Sequence, residues 1–182
     1  MNVPVSSSEA PNIDQYRDLN WGADQLLRIF LFKPFNLDQR KRIYSMGSIQ
    51  IIKKSAHAVI EGEPTRGLFI ILSGQLSVYK RDPMSNESHR LASLKAGDSF
   101  GELSLFDQSP RSATVSAESP AFLFSLEAES FESFLHKEGE AVKAYFYRSC
   151  AAVLSEKLRI LNADYITSQQ LLWKYALRRD TP

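Results

Sequence analysis

The feature that limits the fold most is a series of short runs of β-favouring residues between Ile49 and Ser125. The runs are IQIIKK, HAVI, LFIIL, QLSVY, RLASL, ATVSA and AFLFS. Turn-forming sequences, EGEP, SG, AGD and ESP, lie between several of them. Because no helical segment interrupts the series, it predicts a mainly β fold in which antiparallel strands form a sandwich or barrel.

Helical periodicity occurs on both sides of this β-rich part. Before it, apolar residues recur at helical spacing over 19–32, and Pro34 then ends or kinks the helix. After it, a short helix carries Phe131 on its apolar face. The pattern continues as a longer helix over about 139–162 and a last amphipathic piece over 167–178. These patterns predict helices that flank a β-domain.

The same patterns divide the chain into four segments. Residues 1–12, rich in Ser and Pro, are expected to be flexible. We expect residues 13–45 to form a helical N-terminal segment, residues 46–162 the main domain with its C-terminal helices, and residues 163–182 a helical extension. A length of 182 residues suits one domain with such appendages.

Composition and charge exclude several classes of protein. The net charge of +1 provides no positive field of the kind that attracts nucleic acid. The single cysteine, Cys150, excludes an intramolecular disulfide and an all-cysteine metal site within one chain. The sequence shows neither an apolar stretch long enough to cross a membrane nor a secretory signal pattern. We therefore expect a cytoplasmic protein that binds neither nucleic acid nor membrane.

One loop, GDSFGELSLFDQSPRSATV, combines features that suit a phosphate group. Gly101 lets a ligand approach the main chain closely, and residues 102–106 can form one helical turn whose first N–H groups attract an anion. Arg111 supplies a planar guanidinium that can bind two phosphate oxygens. Ser112 and Ala113 are small enough for their amides to approach the same group.

Glu102 needs a different role, because its carboxylate would repel an anion. It can accept a hydrogen bond from a sugar hydroxyl, and a phosphate together with a ribose indicates a nucleotide. A single arginine without a neighbouring lysine suits the one negative charge of a phosphodiester. A triphosphate would instead require a glycine-rich loop with a lysine and a metal ion.

The run FGELSLFDQSPRSATV resembles the phosphate-binding cassette of the cyclic nucleotide-binding domain family. Catabolite activator protein, protein kinase A regulatory subunits and cyclic-nucleotide-gated channels share this module. The resemblance extends through VIEGEPTRGLFIILSGQLSVYK and LKAGDSFGE, and it covers about residues 30–160. It implies an antiparallel eight-stranded jelly-roll β-barrel with N-terminal helices and C-terminal hinge and lid helices.

The resemblance also implies roles for individual residues. Arg111 would bind the cyclic phosphate and Glu102 the ribose 2′-hydroxyl, while Leu105 and Phe131 would form a switch pair that moves the following helix. The other ligand-binding positions are Gly101, Leu103, Ser104, Ser112 and Ala113. The residue after the cassette arginine is often Ala in cAMP sites and Thr in some cGMP sites. Here it is Ser112, and we expect cAMP rather than cGMP, with no further cofactor.

In the family the last helix covers the base, and Arg148, Ser149 or Glu156 could do so here. Relatives that regulate transcription carry a helix-turn-helix domain after this helix, and the roughly twenty residues beyond Leu161 are too few for one. The expected function is therefore that of a stand-alone cyclic nucleotide sensor. It would relay ligand binding through its C-terminal helices to a protein partner or to a second copy of the chain.

Two other functions remain open from the residues. The cassette could belong to a degenerate jelly-roll scaffold that binds protein only, in which Arg111 pairs with Glu102. In addition, GDSFG fits the G-x-S-x-G pattern of a hydrolase nucleophile, with Ser99 followed by Asp107 and His136. That pattern needs a parallel sheet, which the series of strands does not predict. We expect no enzyme and no catalytic residue.

The histidines raise the question of a metal site of the kind that some jelly rolls carry. They are His57, His89 and His136, and they never occur at close spacing, so we expect no metal. His57 alone could ligate a haem, but Glu102 and Arg111 favour a nucleotide instead.

Overall fold

The computed structural model describes residues 13–65, 67–105 and 109–178. Its strands are β1 (Ser48–Ile52), β2 (His57–Val59), β3 (Gly67–Ser73), β4 (Gln75–Arg81), β5 (Ser88–Lys95), β6 (Ser99–Phe100), β7 (Thr114–Ala117) and β8 (Ala121–Glu127). They form two 4-stranded antiparallel sheets, with the orders β1-β8-β3-β6 and β2-β7-β4-β5. This architecture confirms the predicted mainly β fold of the jelly-roll class. The two-residue strand β6 is the one that no run of β-favouring residues indicated.

Helices flank the sheets on both sides in the sequence. They are α1 (Leu19–Arg28), α2 (Leu37–Met46), α3 (Ala128–Glu138) and α4 (Glu140–Arg178), with short 3₁₀ helices at Ile13–Arg17, Phe30–Phe32 and Glu102–Leu105. None of the described helices is long and apolar enough to cross a membrane. The flexible segment predicted for residues 1–12 lies outside the described residues.

The single helix predicted over 19–32 is wrong, because α1 ends at Arg28 and Ile29 adopts an extended conformation (φ −83°, ψ 122°). Ile29, Leu31 and Phe32 are all buried. An uninterrupted α-helix turns about 100° per residue and would point these three side chains in directions spread around its axis. The break at Ile29 brings all three to the core.

Helix α4 is one continuous helix of 39 residues. The predicted division into a helix over 139–162 and a separate piece over 167–178 is therefore wrong. The residues between these two ranges, ADYI, contain neither Gly nor Pro, so no residue there ends a helix. The boundary expected between residues 162 and 163 falls inside this helix.

The apolar core consists of two clusters that meet at β3. Leu68 and Ile70 belong to a cluster shared with the helices, and Phe69 and Ile71 belong to a cluster between the two sheets. Strand β3 is therefore buried on both faces, which explains its continuous apolar run. The cluster between the sheets also contains residues of β2, β6 and β7, and the pocket described below opens next to it.

Candidate functional site

A pocket of about 280 Å³ lies between the end of β6 and the start of β7. Its lining consists of Val59, Val78, Phe100, Gly101, Glu102, Ser109, Pro110, Arg111, Ser112, Ala113 and Val115. The lining includes five of the predicted ligand-binding residues, namely Gly101, Glu102, Arg111, Ser112 and Ala113. The structure therefore brings a carboxylate, a guanidinium and a stretch of small residues to one cavity.

The helical turn predicted for residues 102–106 is present as the 3₁₀ helix Glu102–Leu105. Glu102 begins this turn and is partly buried. The main chain of Leu103 and Ser104 lies in the turn, while their side chains and the whole of Phe106 lie outside the described part of the chain. The turn places the Glu102 carboxylate at the same pocket as Arg111.

Arg111 is the most deeply buried charged residue of the pocket, with 5% of its surface exposed. Its Nε donates a hydrogen bond to the Thr65 hydroxyl (3.0 Å), and its Nη1 donates to the carbonyl of Gly67 (2.9 Å). The guanidinium carbon lies 5.4 Å from the centre of the Phe69 ring, within range of a cation–π interaction. These contacts orient the side chain from the β2–β3 loop and from β3.

The main chain of Arg111 is held by the same β2–β3 loop. Its N–H donates to the carbonyl of Glu63 (2.9 Å), and its carbonyl accepts from the N–H of Gly62 (2.9 Å). Both the main chain and the side chain of this arginine are thus fixed by residues more than forty positions earlier in the sequence.

Gly101 makes room for the guanidinium. Its φ is +80°, a conformation that L side chains rarely adopt. A Cβ at this position would lie 2.5 Å from Arg111 Nη1 and 2.6 Å from the carbonyl oxygen of Gly67. Any residue other than glycine would therefore displace the arginine or the strand that holds it.

The charge of Arg111 indicates which kind of ligand suits the pocket. Burial lowers the pKa of the Arg111 guanidinium, and the negative charge of Glu63 opposes this shift. The group nevertheless stays protonated at neutral pH, because arginine does not lose its proton in proteins. A guanidinium at a cavity wall can donate to the oxygens of an anion, so the pocket suits an anionic ligand.

The apolar part of the lining was missed by the sequence analysis. It consists of Val59, Val78, Phe100 and Val115, which come from strands β2, β4, β6 and β7. The alternation of inward and outward side chains in the runs HAVI, QLSVY and ATVSA is a signal that could have indicated the three valines. Such a wall can pack against a flat apolar group such as a base.

The predicted switch residues lie in one apolar cluster. Phe131 is 2% exposed at the centre of the cluster between the helices and β3, and Leu105 packs against this cluster from the end of the one-turn helix. Phe146 and Cys150 of α4 belong to the same cluster. Apolar contacts thus run from the pocket to α3 and α4.

The base contacts expected from α4 are not at the pocket in this structure. Arg148, Ser149 and Glu156 are absent from the described lining. Ser149 donates its hydroxyl to the carbonyl of Tyr145 (3.0 Å), and Glu156 pairs with Arg159 (3.1 Å). These contacts lie within α4 itself, so the helix does not cover the pocket with these side chains.

The residues of the hydrolase alternative do not occupy the setting that it requires. Ser99 lies in β6, which is antiparallel to β3 and leads into a single 3₁₀ turn rather than a full helix. His136 lies in α3, and Asp107 is outside the described residues. A nucleophile elbow needs a strand-to-helix turn on a parallel sheet, and Ser99 does not have one.

The histidines likewise do not meet at a common site. His57 Nδ1 lies 2.8 Å from the Ser116 hydroxyl, and His89 Nε2 lies 4.0 Å from Asp82. Across residues 13–65, 67–105 and 109–178, no group of three or more His, Cys, Asp or Glu side chains is arranged to hold a metal ion.

Comparison with known proteins agrees with this site. A family model described as the cyclic nucleotide-binding domain matches residues 50–138. Glutaminase 1 of Bradyrhizobium diazoefficiens is 31% identical over 140 residues, which are 76% of this chain and 22% of that protein. The cAMP-dependent protein kinase regulatory subunit of Yarrowia lipolytica is 30% identical over 97 residues, which are 53% of this chain and 25% of that protein. The chain thus spans about a quarter or less of the length of these curated relatives.

A solved structure with a bound ligand is similar as well. The cAMP-bound PfPKA-R superposes with a TM-score of 0.59 at 27% identity, covering 69% of this chain and 43% of that one. The matched range 50–138 contains every strand from β2 to β8, the one-turn helix and Arg111. On the fold, the pocket and these similarities together, residues 50–138 form a domain of the cyclic nucleotide-binding domain family.

Proposed function

We propose that the chain is a cytoplasmic cyclic nucleotide sensor that binds cAMP in preference to cGMP and relays binding to a protein partner by rearranging its helices. It would act without catalysis and without binding DNA. The observation that carries the proposal is the buried Arg111 guanidinium at a cavity whose lining also contains Glu102 and apolar side chains. A cyclic nucleotide supplies one negative charge, one ribose and one flat base, which are the three groups that this cavity suits.

The proposed pose assigns one ligand group to each polar side chain. The cyclic phosphate accepts hydrogen bonds from Arg111, whose orientation by Thr65 and Gly67 reduces the cost of ordering it on binding. The ribose 2′-hydroxyl donates to the Glu102 carboxylate. Main-chain groups of Gly101, Leu103, Ser104 and Ala113 and the Ser112 hydroxyl would complete the contacts.

The preference for cAMP is supported by the similar proteins. Ser112, at the position that the family resemblance connects with the choice of purine, is neither the Ala of many cAMP sites nor the Thr of some cGMP sites. The relative from Yarrowia lipolytica is named as cAMP-dependent, and the solved PfPKA-R structure holds cAMP.

The relay would use the apolar cluster around Phe131. A ligand that draws the turn Glu102–Leu105 towards its phosphate moves Leu105, which packs against this cluster. Because Phe131 lies in α3 and Phe146 in α4, such a shift repacks the contacts of both helices. Movement of α4 could then also bring a base contact to the pocket.

The partner would bind along α4. Tyr147, Leu154, Leu158 and Leu161 are 40%, 39%, 56% and 64% exposed, and they recur at spacings of seven, four and three residues. This spacing is typical of the seam of a coiled coil, whose apolar side chains are covered by another helix. A protein partner or a second copy of the chain could supply that helix.

The proposal is tested by calorimetric titration of the protein with cAMP and with cGMP. We expect tighter binding of cAMP, and we expect Arg111→Ala to weaken it by about tenfold to a hundredfold, since a hydrogen bond to a charged group contributes about 1.5–3 kcal/mol. The matched control is Arg28→Ala, which removes an exposed arginine at the end of α1 and should leave affinity unchanged.

The same titration decides between the sensor and the scaffold. The protein is first shown by mass spectrometry to be free of co-purified nucleotide and by circular dichroism to be folded. If this protein binds neither nucleotide, the sensor is excluded and the scaffold that binds protein only takes its place.

A further inference from the structure

Lys80, near the end of β4, makes a contact with the cassette that the resemblance to the family did not indicate. Its ammonium group donates to the carbonyl oxygen of Ser112 (2.7 Å) and to Glu61 Oε1 (2.7 Å). Lys80 is not among the residues that line the described pocket. Lys80 therefore contacts the main chain of the cassette from outside the pocket lining.

The position of this contact follows from the sheet. The ladder between β4 and β7 ends at the pair Tyr79 and Thr114. The next residue towards the cassette on β4 is Lys80, and its side chain reaches past the end of the ladder to the carbonyl of Ser112. The lysine thus continues the connection between the two strands where main-chain pairing has stopped.

Glu61 holds the ammonium group in place. Its Oε2 accepts a hydrogen bond from the N–H of Arg81 (3.0 Å), and its own N–H donates to the Thr114 hydroxyl (3.0 Å). The hydrogen bond from Lys80 and the one from the Arg81 amide lower the pKa of the Glu61 carboxyl, so it is charged at neutral pH. Three segments meet at this pair: the β2–β3 loop, β4 and the cassette.

The orientation of the Ser112 carbonyl also determines that of a neighbouring N–H group in the cassette. A peptide unit is planar, so fixing this carbonyl also fixes the N–H of Ala113, which belongs to the same unit. On the preceding residue, the carbonyl of Arg111 is held by Gly62. The main chain from Arg111 to Ala113 is therefore held by the β2–β3 loop on one residue and by Lys80 on the next.

We propose that Lys80, oriented by Glu61, is a positioning residue for the ligand site: it holds the Ser112 carbonyl and thereby places Arg111 and Ala113 at the pocket wall. This inference rests on the proposed function, because its main readout is nucleotide affinity. It assigns Lys80 no contact with the ligand.

A purely electrostatic role of Lys80 predicts a different effect of Glu61→Gln on ligand affinity. If Lys80 acted only as a distant positive charge, removing the negative charge of Glu61 would strengthen the binding of an anion. If Lys80 acts by positioning, Glu61→Gln weakens binding, because the ammonium group loses the partner that orients it. The sign of the Glu61→Gln effect therefore separates the two.

The experiment titrates cAMP into the wild type, Lys80→Met, Lys80→Arg and Glu61→Gln. We expect Lys80→Met to weaken binding about threefold to tenfold, Glu61→Gln to weaken it about twofold to fivefold, and Lys80→Arg to restore most of the affinity by keeping a charged donor. The matched control is Lys95→Met, an exposed lysine of the neighbouring strand β5, which should bind like the wild type. Thermal midpoints of the unliganded variants show whether a loss of affinity reflects a loss of folding.

Amide chemical shifts of the unliganded proteins test the positioning without a ligand. The resonances of Arg111 and Ala113 should move in Lys80→Met and in Glu61→Gln but stay unchanged in Lys95→Met. Unchanged shifts, unchanged affinity of Lys80→Met or tighter binding by Glu61→Gln would each overturn the positioning role. A wild type that binds no nucleotide would overturn the sensor, whereas the shifts would still decide whether Lys80 orders the cassette.

Discussion

The pocket and the distal part of α4, residues 154–174, differ in how far the chain covers its own side chains. At the pocket, Arg111 is 5% exposed, and it donates hydrogen bonds to Thr65, Gly67 and Glu63 and accepts one from Gly62. In distal α4, large apolar side chains are more than half exposed, as in Leu158, Leu161 and Trp173. The comparison teaches that the chain holds the pocket arginine with its own groups but leaves apolar side chains of distal α4 exposed.

The change from buried to exposed apolar side chains falls inside the single helix α4. Phe146 and Cys150 of α4 are buried in the core cluster that the helices share with β3 and β8, and from Ala151 to Lys174 nearly all described side chains are exposed. The first three turns of α4 therefore belong to the folded domain, while the rest extends beyond it. Under the proposed function, a protein partner or a second copy of the chain would cover the exposed apolar residues of this part of α4.

The largest effect that tests this comparison is on stability. Phe131→Ala should lower the free energy of unfolding by about 3–5 kcal/mol, because it leaves a cavity in the centre of the core cluster. Leu161→Ala, on distal α4, should change it by about 0.5 kcal/mol or less. Urea denaturation of both variants at low protein concentration measures the difference. Similar losses would mean that distal α4 packs against the domain in solution.

A second pair of variants tests how tightly the pocket is built. Gly101→Ala places a Cβ against Arg111 Nη1 and the Gly67 carbonyl, and we expect cAMP affinity to fall by at least about tenfold. Gly97→Ala is the matched control, since Gly97 has a similar φ of +91° but nothing within 4 Å of an added Cβ. The strain of the positive φ, about 1–2 kcal/mol, is then common to both. Equal affinities would show that Arg111 does not need this space.

The parts of the site that could be predicted from sequence are those carried by local spacing. The cassette places Gly101, Glu102, Arg111, Ser112 and Ala113 within a stretch of 13 residues, and all five line the pocket. The strands were predictable for the same reason, since alternation and turn residues are local signals. The ligand roles of these residues stay predictions until binding is measured.

The parts that could not be predicted depend on contacts between distant segments. Thr65 and Gly67 hold Arg111 across 46 and 44 residues of sequence, and no local pattern indicates such a pair. Lys80 reaches Ser112 in the same way, across 32 residues. The break at Ile29 has a similar cause, because burial of three side chains overrides the helical tendency of the segment.

Alkaline pH should weaken the part of the core that α4 shares with the domain. Burial raises the pKa of the Cys150 thiol to about 12 and that of the Tyr44 hydroxyl to about 12. Between the ordinary values of these groups and about pH 12, the unfolded chain loses protons that the folded chain keeps, so stability falls as pH rises. Urea denaturation at pH 8 and at pH 10 should show a smaller loss for Cys150→Ala than for the wild type. An equal loss would mean that the thiol is not buried against the domain.

The smallest expected effect is on ligand affinity when distal α4 is changed, and it defines the limit between the two regions. Replacing Leu158 and Leu161 together by Glu adds two charges to the exposed seam without touching the pocket lining. At concentrations where the proteins are monomeric, calorimetry should give a cAMP affinity within about twofold of the wild type, because solvent screens the effect of the two added charges on the ligand.

At high concentration, sedimentation should show association in the wild type and none in the variant if a second copy covers the seam. A wild type that stays monomeric would assign the seam to a different protein. A variant that binds cAMP much more weakly would show that distal α4 reaches the pocket, and the two regions would then form one site.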